Sequence, residues 1–351
     1  MQGFLMQVSH TPPAGGGGYS RRRGKYRLLE NTSPAPRPPE AGRREKMEES
    51  LSKVLAFVFF IVLGWFLRRF NILKPEAFHA ISALVMCVTL PCVTVTGLNG
   101  IEIGAQLADI ALIGLVANVI LLLIGFAVTM RTADPDLRDF RRLNISGFSI
   151  GPFVIPYVQA FLPPAGLLTA LVFDLGNAVM AAGGNYAVIS GFREKTSPVR
   201  MVKVIAKKLA TSGPVIAFFV MMVLCLMHVT LPAGVVNAAK IGAAANTFLC
   251  MIMIGESMNL SLNMREFIDI MKILVLRFVC QVTLALVFYY LLPFDIEARR
   301  ALVIVALAPV PAMNLIYTSQ LKGDLGRAAN LNSLSVAVAI ATMSTAITLM
   351  Q

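Results

Sequence analysis

Ten apolar stretches follow one another from residue 51 to the end of the chain. A run of about 18 or more apolar residues can cross the hydrocarbon core of a bilayer as a helix. Of the 351 residues, 56% are hydrophobic and 14% are charged, so a soluble protein would lack polar surface to cover them. The sequence therefore predicts an all-α integral membrane protein with the lipid bilayer around it. The ten predicted transmembrane helices are 51–69, 76–98, 107–130, 141–163, 165–190, 209–230, 234–259, 266–291, 298–321 and 326–350.

Residues 1–46 differ from the rest of the chain in composition. They hold six of the nineteen prolines, and nine Lys or Arg against three Glu. Their apolar runs are too short to build a core or to form a secretory signal. We expect a disordered basic tail, or an assigned start upstream of the true one at Met47; an organellar transit peptide is a further alternative. The tail carries +6 of the net charge of +12, so the charge indicates no nucleic-acid partner.

The basic residues beyond the tail alternate between the gaps that separate the spans. The odd-numbered gaps carry most of them, including six in the segment 191–208, whereas the even-numbered gaps carry little beyond Arg299 and Arg300. Loops rich in Lys and Arg stay in the cytoplasm, which predicts that both termini lie outside. The short loops and apolar composition are typical of a protein of the bacterial inner membrane, with an organelle as the alternative location.

Two spans, the fourth and the ninth, contain paired prolines. A proline removes a backbone donor and clashes with the preceding helical turn, so each pair is expected to interrupt its helix. Interrupted helices in hydrocarbon are tolerated where the freed backbone is buried in protein or lines a cavity, and they indicate a transporter's binding site. The two segments are Gly151-Pro152-Phe153-Val154-Ile155-Pro156 and Pro309-Val310-Pro311-Ala312-Met313-Asn314.

The basic segment 191–208 divides the spans into five and five, within residues 47–190 and 209–351. An odd number of spans in each half gives the second half the opposite orientation. Since the fourth span of each half carries the proline pair, we expect two inverted five-helix repeats with broken helices four and nine.

Several polar residues near the predicted breaks are candidates for binding a solute. Ser149 and Asn314 supply hydrogen bonds beside the breaks, and Asp174 is costly inside a bilayer, which marks it as functional by default. Asn177 lies one helical turn from Asp174 and is its expected partner. Alternatively, the prolines are only kinks, Asn314 joins packed helices, and Asp174 makes a structural hydrogen bond. The candidate substrate-binding residues are Ser149, Gly151, Pro152, Pro156, Asp174, Asn177, Pro309, Pro311 and Asn314; Lys240, Glu256 and Arg277 are left out because each can lie near a membrane surface.

Enzyme chemistry finds little support in the sequence. The three His residues are far apart, and the five Cys residues lie in apolar spans without metal-ligand spacing. No phosphate-binding loop or nucleophile elbow is present in the sequence. We therefore predict no catalytic residue, no metal site and no cofactor.

The order and spacing of several motifs resemble the auxin efflux carrier family of permeases, which includes plant PIN proteins and bacterial malonate permeases. The resemblance covers about residues 51–350. Ser149 and Val154 depart from the family pattern, which favours Asn and Gly there. The motifs are Gly64-Trp65-Phe66-Leu67-Arg68-Arg69, Leu90-Pro91, Ser149 to Pro156, Phe161 to Gly166, Asp174 to Asn177 and Ala308 to Asn314.

The resemblance implies ten helices in two inverted repeats, with spans four and nine crossing at mid-membrane. It also implies an elevator-type cycle and a homodimer with contacts through spans one, two, six and seven. The freed N–H groups of a broken helix favour an anion, so the leading hypothesis is a secondary transporter of small organic anions such as malonate or auxin-like acids. The alternatives are a cation or proton exchanger on a similar fold and a non-transporting membrane receptor.

Overall fold

The computed structural model describes residues 40–74, 77–101, 106–194, 198–258 and 264–350, and in these ranges the chain is helical with no β-strand. The predicted all-α class is therefore confirmed. The helices are α1 (Glu40–Arg69), α2 (Ala77–Leu98), α3 (Gln106–Thr129), α4 (Pro135–Ile145), α5 (Ile150–Phe161), α6 (Pro164–Val179), α7 (Asn185–Glu194), α8 (Pro198–Ala210), α9 (Gly213–Leu226), α10 (Ala233–Ser257), α11 (Met264–Tyr290), α12 (Ile296–Ala306), α13 (Met313–Gln320) and α14 (Leu325–Met350).

Six helices in the described ranges are long and apolar enough to cross a membrane. They are Leu51–Arg69 within α1, α2, α3, α10, Glu266–Tyr290 within α11, and α14. Large apolar side chains such as Leu112, Leu123, Phe219 and Val279 are exposed on the protein surface, where lipid tails would cover them. The remaining predicted spans correspond to shorter or interrupted helices: α4 and α5, α6 and α7, α9, and α12 and α13.

The N-terminal boundary differs from the expectation. Residues 1–39 of the expected disordered tail lie outside the described part of the chain. Residues 40–46 belong to α1, which begins at Glu40. The segment from Glu40 to Leu51 contains no proline and is rich in Glu, Lys and Arg, which favour helix. An ion pair of 2.8 Å between Glu49 and Lys53, one turn apart, supports the same helix.

The basic segment 191–208, expected as a loop, is mostly helical: α7 continues to Glu194 and α8 covers Pro198–Ala210. Apolar residues recur at helical spacing along α8, at Val199, Val202 and Ile205, with Arg200 and Lys203 between them. This period forms an amphipathic helix, which the count of basic residues alone did not indicate.

The connections of the odd-numbered gaps meet on one face of the protein. Arg193 donates to Asp136 at 2.7 Å and to the carbonyl of Leu321 at 3.2 Å, and Arg141 donates to Asp269 at 3.1 Å. The opposite face joins the even-numbered gaps. There the Asn99 side chain accepts a bond of 2.9 Å from the backbone N–H of Leu231, and Lys53 donates to the carbonyl of Ala160 at 3.1 Å.

The long helices pack in two groups. In the first group, α1, α2, α9 and α10 lie against one another. In the second, α3 packs on α6, α6 on α12, and α12 on α11 and α14. Gly255 of α10 meets the backbone of α1 at Ile61, and Gly176 of α6 meets the backbone of α3 at Ala111, leaving no room for a β-carbon. Small residues thus bring backbones close within each group, as in many membrane helix pairs.

Candidate functional site

The first helix break lies between α4 and α5, at Ser146–Ser149, slightly before the position expected from the prolines. Gly147 has φ +87°, a left-handed conformation that favours glycine. Pro152 lies in the first turn of α5, and Pro156 is its seventh residue, just after the π-helical first segment Ile150–Val154. The first N–H groups of a helix have no intrahelical acceptor, so proline is tolerated there. The expected break at the prolines is corrected: Gly147 and its neighbours interrupt the helix, and both prolines lie within the half-helix that follows.

The second break lies between α12 and α13 and contains both predicted prolines. The chain leaves the helix at Leu307, passes through Pro309 and Pro311, and re-enters helix at Met313. The N–H of Val310 donates at 3.2 Å to the side-chain oxygen of Ser335 on α14. The unwound backbone is thus held by a side chain from the last helix.

The two breaks touch each other. The backbone N–H of Ser149 donates to the carbonyl oxygen of Pro309 at 3.0 Å. A β-carbon on Gly147 would approach Cγ of Pro311 to 2.7 Å. The two unwound segments therefore meet at one place, which is called the crossing.

The buried guanidinium of Arg277, on α11, joins both breaks. Arg277 is 2% exposed, and no ion pair is found for it among the described residues. The C-terminal ends of α4 and α12 carry unpaired carbonyl groups and the negative end of each helix dipole. The positive guanidinium of Arg277 is therefore a favourable partner for both ends. Gln281, one turn along α11, donates to the carbonyl of Ala308 at 2.5 Å. The guanidinium donates to the carbonyl oxygens of Ile145 (2.8 Å), Ser146 (3.4 Å), Gly147 (2.5 Å), Ala308 (3.2 Å) and Pro309 (3.2 Å).

Asp174 and Asn177 belong to a polar network beside the first break. Asn177 donates to Asp174 at 2.9 Å, which confirms the expected pair, and to the carbonyl of Phe148 at 3.0 Å. Asn118 on α3 donates to Asn177 at 2.5 Å, and Asn185 donates to Asn118 at 3.3 Å. The network ties α3, α6 and α7 to the unwound backbone.

The carboxylate of Asp174 also lies next to Gly151 and a small cavity. Its Oδ2 would be 3.5 Å from a β-carbon on Gly151. The cavity, of about 30 Å³, lies between α2, α6 and α9 and includes Thr94 and Pro214 in its lining. A cavity of that volume can hold about one water molecule.

Asn314 and Pro156 are buried among helices and line neither of the two small cavities near the breaks. Asn314 is buried, and its amide nitrogen donates at 2.9 Å to the carbonyl of Leu143 and at 3.4 Å to the side chain of Asn144. It therefore joins α13 to the end of α4, as in the alternative interpretation of this residue as a link between helices. Pro156 is buried in α5.

A small cavity lies directly at the crossing. Its volume is about 20 Å³, enough for about one water molecule. Ser149 of the first break and Pro152 of α5 line it on one side. Val310 and Ala312 line it from the second break, and Asn332 from α14. Ser149 is 9% exposed, and its side chain makes no capping hydrogen bond. The cavity therefore joins unwound backbone, a hydroxyl and an amide at one point.

A vestibule of about 940 Å³ adjoins this cavity on the face of the odd-numbered gaps. Phe78, Ser257 and Ala312 line both spaces, so these residues separate the vestibule from the crossing. Arg68 and Glu256 form an ion pair in the vestibule wall. All three spaces, including the cavity at Asp174, lie between the two groups of helices.

Sequence reasoning did not select Arg277, Asn332 or Ser335. Arg277 carried a usable signal, because an ionisable residue within a membrane span indicates function by default. The polar cluster Asn330, Asn332, Ser333 and Ser335 at the start of an apolar span was a second signal. Lys240 and Glu256 were also left out of the candidate substrate-binding residues. In the structure Lys240 is exposed, and Glu256 is paired with Arg68. No group of three His, Cys, Asp or Glu suited to a metal occurs among the residues that the structure describes.

Comparison with known proteins identifies one family. A family model described as "Membrane transport protein" matches residues 50–349. This auxin efflux carrier-like family is the one that the sequence motifs resemble, so that prediction is confirmed. No curated protein matches the chain.

Proposed function

Because this chain belongs to the membrane transport protein family, we propose that it is a secondary transporter of small organic anions that bind where the two helix breaks cross. Members of the family are transporters, so the chain is a membrane transporter and not an enzyme, and the receptor hypothesis is set aside. The observation that carries the proposal is the cavity at the crossing, which unwound backbone, Ser149 and Asn332 line together.

The chemistry of the crossing favours a carboxylate. The N-terminus of α5 lies between Ser149 and Pro152, both of which line the cavity. First-turn N–H groups and the positive end of the helix dipole attract anions. Arg277 adds a fixed positive charge at the same crossing, since its guanidinium contacts carbonyls of both breaks. A small organic acid in its anionic form suits these groups.

Two inverted five-helix repeats are part of the proposal, and matching contacts support them. In each half, a polar residue of the last span holds the break of the fourth: Asn177 bonds to Phe148 in the first half, and Ser335 to Val310 in the second. The third span of each half also supplies polar contacts, from Asn118 and from Arg277. Repeats with opposite orientation place such contacts around one midplane site.

An elevator-type cycle is supported by the two packing groups. The group of α1, α2, α9 and α10 would stay fixed, and the group that holds the breaks would move along it. The vestibule and both smaller cavities lie between the groups, where sliding would expose the site to either face in turn. We further propose that the vestibule face is cytoplasmic, with both termini outside, that the membrane is a bacterial inner membrane, and that two copies pair through the fixed group.

The exchanger alternative is less well supported. A cation or proton exchanger would need a buried acidic pair near the crossing. Within the described residues, the carboxylate of Asp174 is bonded to an amide, Asn177, and no second acid is paired with it. The fixed charge closest to both breaks is the cation Arg277.

A counterflow assay in proteoliposomes tests the proposal with labelled malonate, lactate and indole acetate. We expect exchange of at least one anion, lost in Ser149→Ala and kept in Ser212→Ala. Ser212 precedes α9, makes no side-chain cap bond and lies outside the crossing, so it is a matched control. Failure of every organic anion, with Na⁺ or H⁺ flux instead, would overturn the proposal in favour of the exchanger.

A further inference from the structure

Helix α8 is basic along its length and has no acidic residue in its sequence. Within Pro198–Ala210 the basic residues are Arg200, Lys203, Lys207 and Lys208. The side chains of Lys203 and Lys207 are exposed, and no ion pair is found for either of them among the described residues. Two positive charges of α8 therefore remain available to a partner outside the chain.

The apolar residues of α8 are divided between a packed side and an exposed side. The helix packs on the segment Met180–Gly184 and on α7. Ile205 and Leu209, one turn apart, are half-buried, whereas Val199 and Val202 are each 64% exposed. Since a helix has about 3.6 residues per turn, the two valines lie between the half-buried pair and the two exposed lysines around the helix axis. Water is an unfavourable neighbour for these valines.

The helices that precede and follow α8 have apolar surfaces suited to lipid close to its two ends. Phe192, near the end of α7, is 73% exposed, and its ring centroid lies 5.1 Å from that of Phe126 on α3. Phe126 lies one turn after Leu123, which is exposed on the same helix. At the other end of α8, helix α9 begins at Gly213 and exposes Ile216 in its first turn. These neighbours place α8 at the level of the membrane surface.

We propose that α8 lies in the membrane interface and binds the anionic headgroups of phospholipids. Val199 and Val202 contact acyl chains in this arrangement, and Lys203 and Lys207 extend to the phosphate groups. Each lysine near an anionic membrane surface adds to the attraction and needs no preformed pocket. The inference concerns lipid binding, so it does not depend on which solute the protein carries.

A second copy of this chain is a less suitable partner for the same surface. In a two-fold contact the same patch faces itself, so the lysines of both copies would lie along one apolar seam. Like charges placed together across an interface oppose association. Anionic headgroups instead bring the opposite charge to the lysines, and their acyl chains cover the valines.

Fluorescence quenching in nanodiscs tests the proposal with the full-length protein. Trp65 is the chain's one tryptophan, so Trp65→Phe with Val202→Trp gives a single reporter on the exposed side of α8. The nanodiscs contain equal amounts of phosphatidylcholine and phosphatidylglycerol, and only one of the two lipids carries brominated acyl chains, which quench tryptophan on contact. We expect brominated phosphatidylglycerol to quench the reporter at least about twice as strongly as brominated phosphatidylcholine.

Two double variants in the reporter background assign the preference to the lysines of α8. In Lys203→Gln with Lys207→Gln, the ratio of the two quenching efficiencies should fall towards one. Lys272→Gln with Lys322→Gln is the matched control, because it removes two exposed lysines from the same face of the protein outside α8. The ratio should persist in this control and decrease at high salt, which screens the attraction.

Val199→Trp in the Trp65→Phe background supplies a second reporter on the same side of α8. Both reporters should elute as Trp65→Phe does in gel filtration, which shows that the added tryptophan leaves the fold intact. Equal quenching by the two labelled lipids in both reporters would overturn the proposal. Absence of quenching by either lipid would also overturn it, in favour of water or another copy of the chain at this surface. A ratio that survives the loss of Lys203 and Lys207 would contradict their role.

Discussion

The backbone N–H of Ser149 donates a hydrogen bond of 3.0 Å to the carbonyl oxygen of Pro309. This bond links two unwound segments that are 160 residues apart in the chain. Each segment supplies what the other lacks, because a helix that begins has unpaired donors and a helix that ends has unpaired acceptors. The two breaks therefore form one hydrogen-bonded unit, and displacement of one half-helix would carry the other with it.

Gly147→Ala should destabilise the protein and reduce transport. Gly147 combines φ +87° with a β-carbon position 2.7 Å from Pro311, so alanine adds both backbone strain and a clash with the other break. We expect a loss of about 1–3 kcal/mol, measured by thermal unfolding in detergent. Gly234→Ala is the control, because nothing lies within 4 Å of its β-carbon position. Equal effects of the two substitutions would contradict this account of the first break.

Arg277→Lys should be nearly as damaging as Arg277→Met. The guanidinium reaches carbonyls on both breaks through two nitrogens, and a single ammonium cannot reproduce that geometry. Losing several charge-assisted bonds to buried carbonyls should cost about 3 kcal/mol or more and abolish counterflow. Arg300→Lys is the control, since Arg300 bonds to Glu297 at a partly exposed site and should change stability by less than about 0.5 kcal/mol. A stable and active Arg277→Lys protein would show that the bonds from the guanidinium to both breaks are dispensable.

The long spans were predictable because their signal is local. A run of apolar residues with the length of a bilayer needs no knowledge of neighbouring helices. Prolines also indicated the correct region of each break. The position of the first break could not be read from the prolines. Pro152 lies in the first turn of α5, where proline is tolerated, and the left-handed residue is Gly147.

The residues that hold the crossing together were harder to predict. The partners of Arg277 are backbone carbonyls more than 100 positions away for one break and about 30 for the other, and carbonyls leave no mark in a sequence. The buried Oδ1 of Asn332 has no hydrogen-bond partner among the described residues, and only the surrounding structure reveals this. Asn314 was selected for its proline context, and its contacts with Leu143 and Asn144 depend on the crossing itself.

The orientation of the vestibule is testable with single cysteines in a background without the five native ones. Ser319 lines the vestibule, and Thr230 is exposed on the opposite face near Leu231. Since basic loops stay in the cytoplasm, a membrane-impermeant thiol reagent should label Ser319→Cys from the cytoplasmic side and Thr230→Cys from outside. The measurement compares inverted vesicles with intact cells. The reverse pattern would overturn the proposed orientation while leaving the fold unchanged.

The ion pair in the vestibule wall should respond unequally to the loss of its two partners. The side chain of Glu256 is 1% exposed and that of Arg68 is 39% exposed. Arg68→Ala strands a buried carboxylate and should cost about 3–5 kcal/mol in thermal unfolding. Glu256→Gln leaves an arginine that can turn towards water, so its cost should be smaller.

The double variant Arg68→Ala with Glu256→Gln separates this explanation from a simple loss of packing. Removing the stranded charge should recover most of the stability that Arg68→Ala loses. Arg69→Ala is the control, because Arg69 is exposed in the same vestibule and should change stability by less than about 0.5 kcal/mol. If the double variant is no more stable than Arg68→Ala, the arginine acts through contacts other than its charge. In that case its aliphatic stem, packed in the vestibule wall, would be the stabilising part of the side chain.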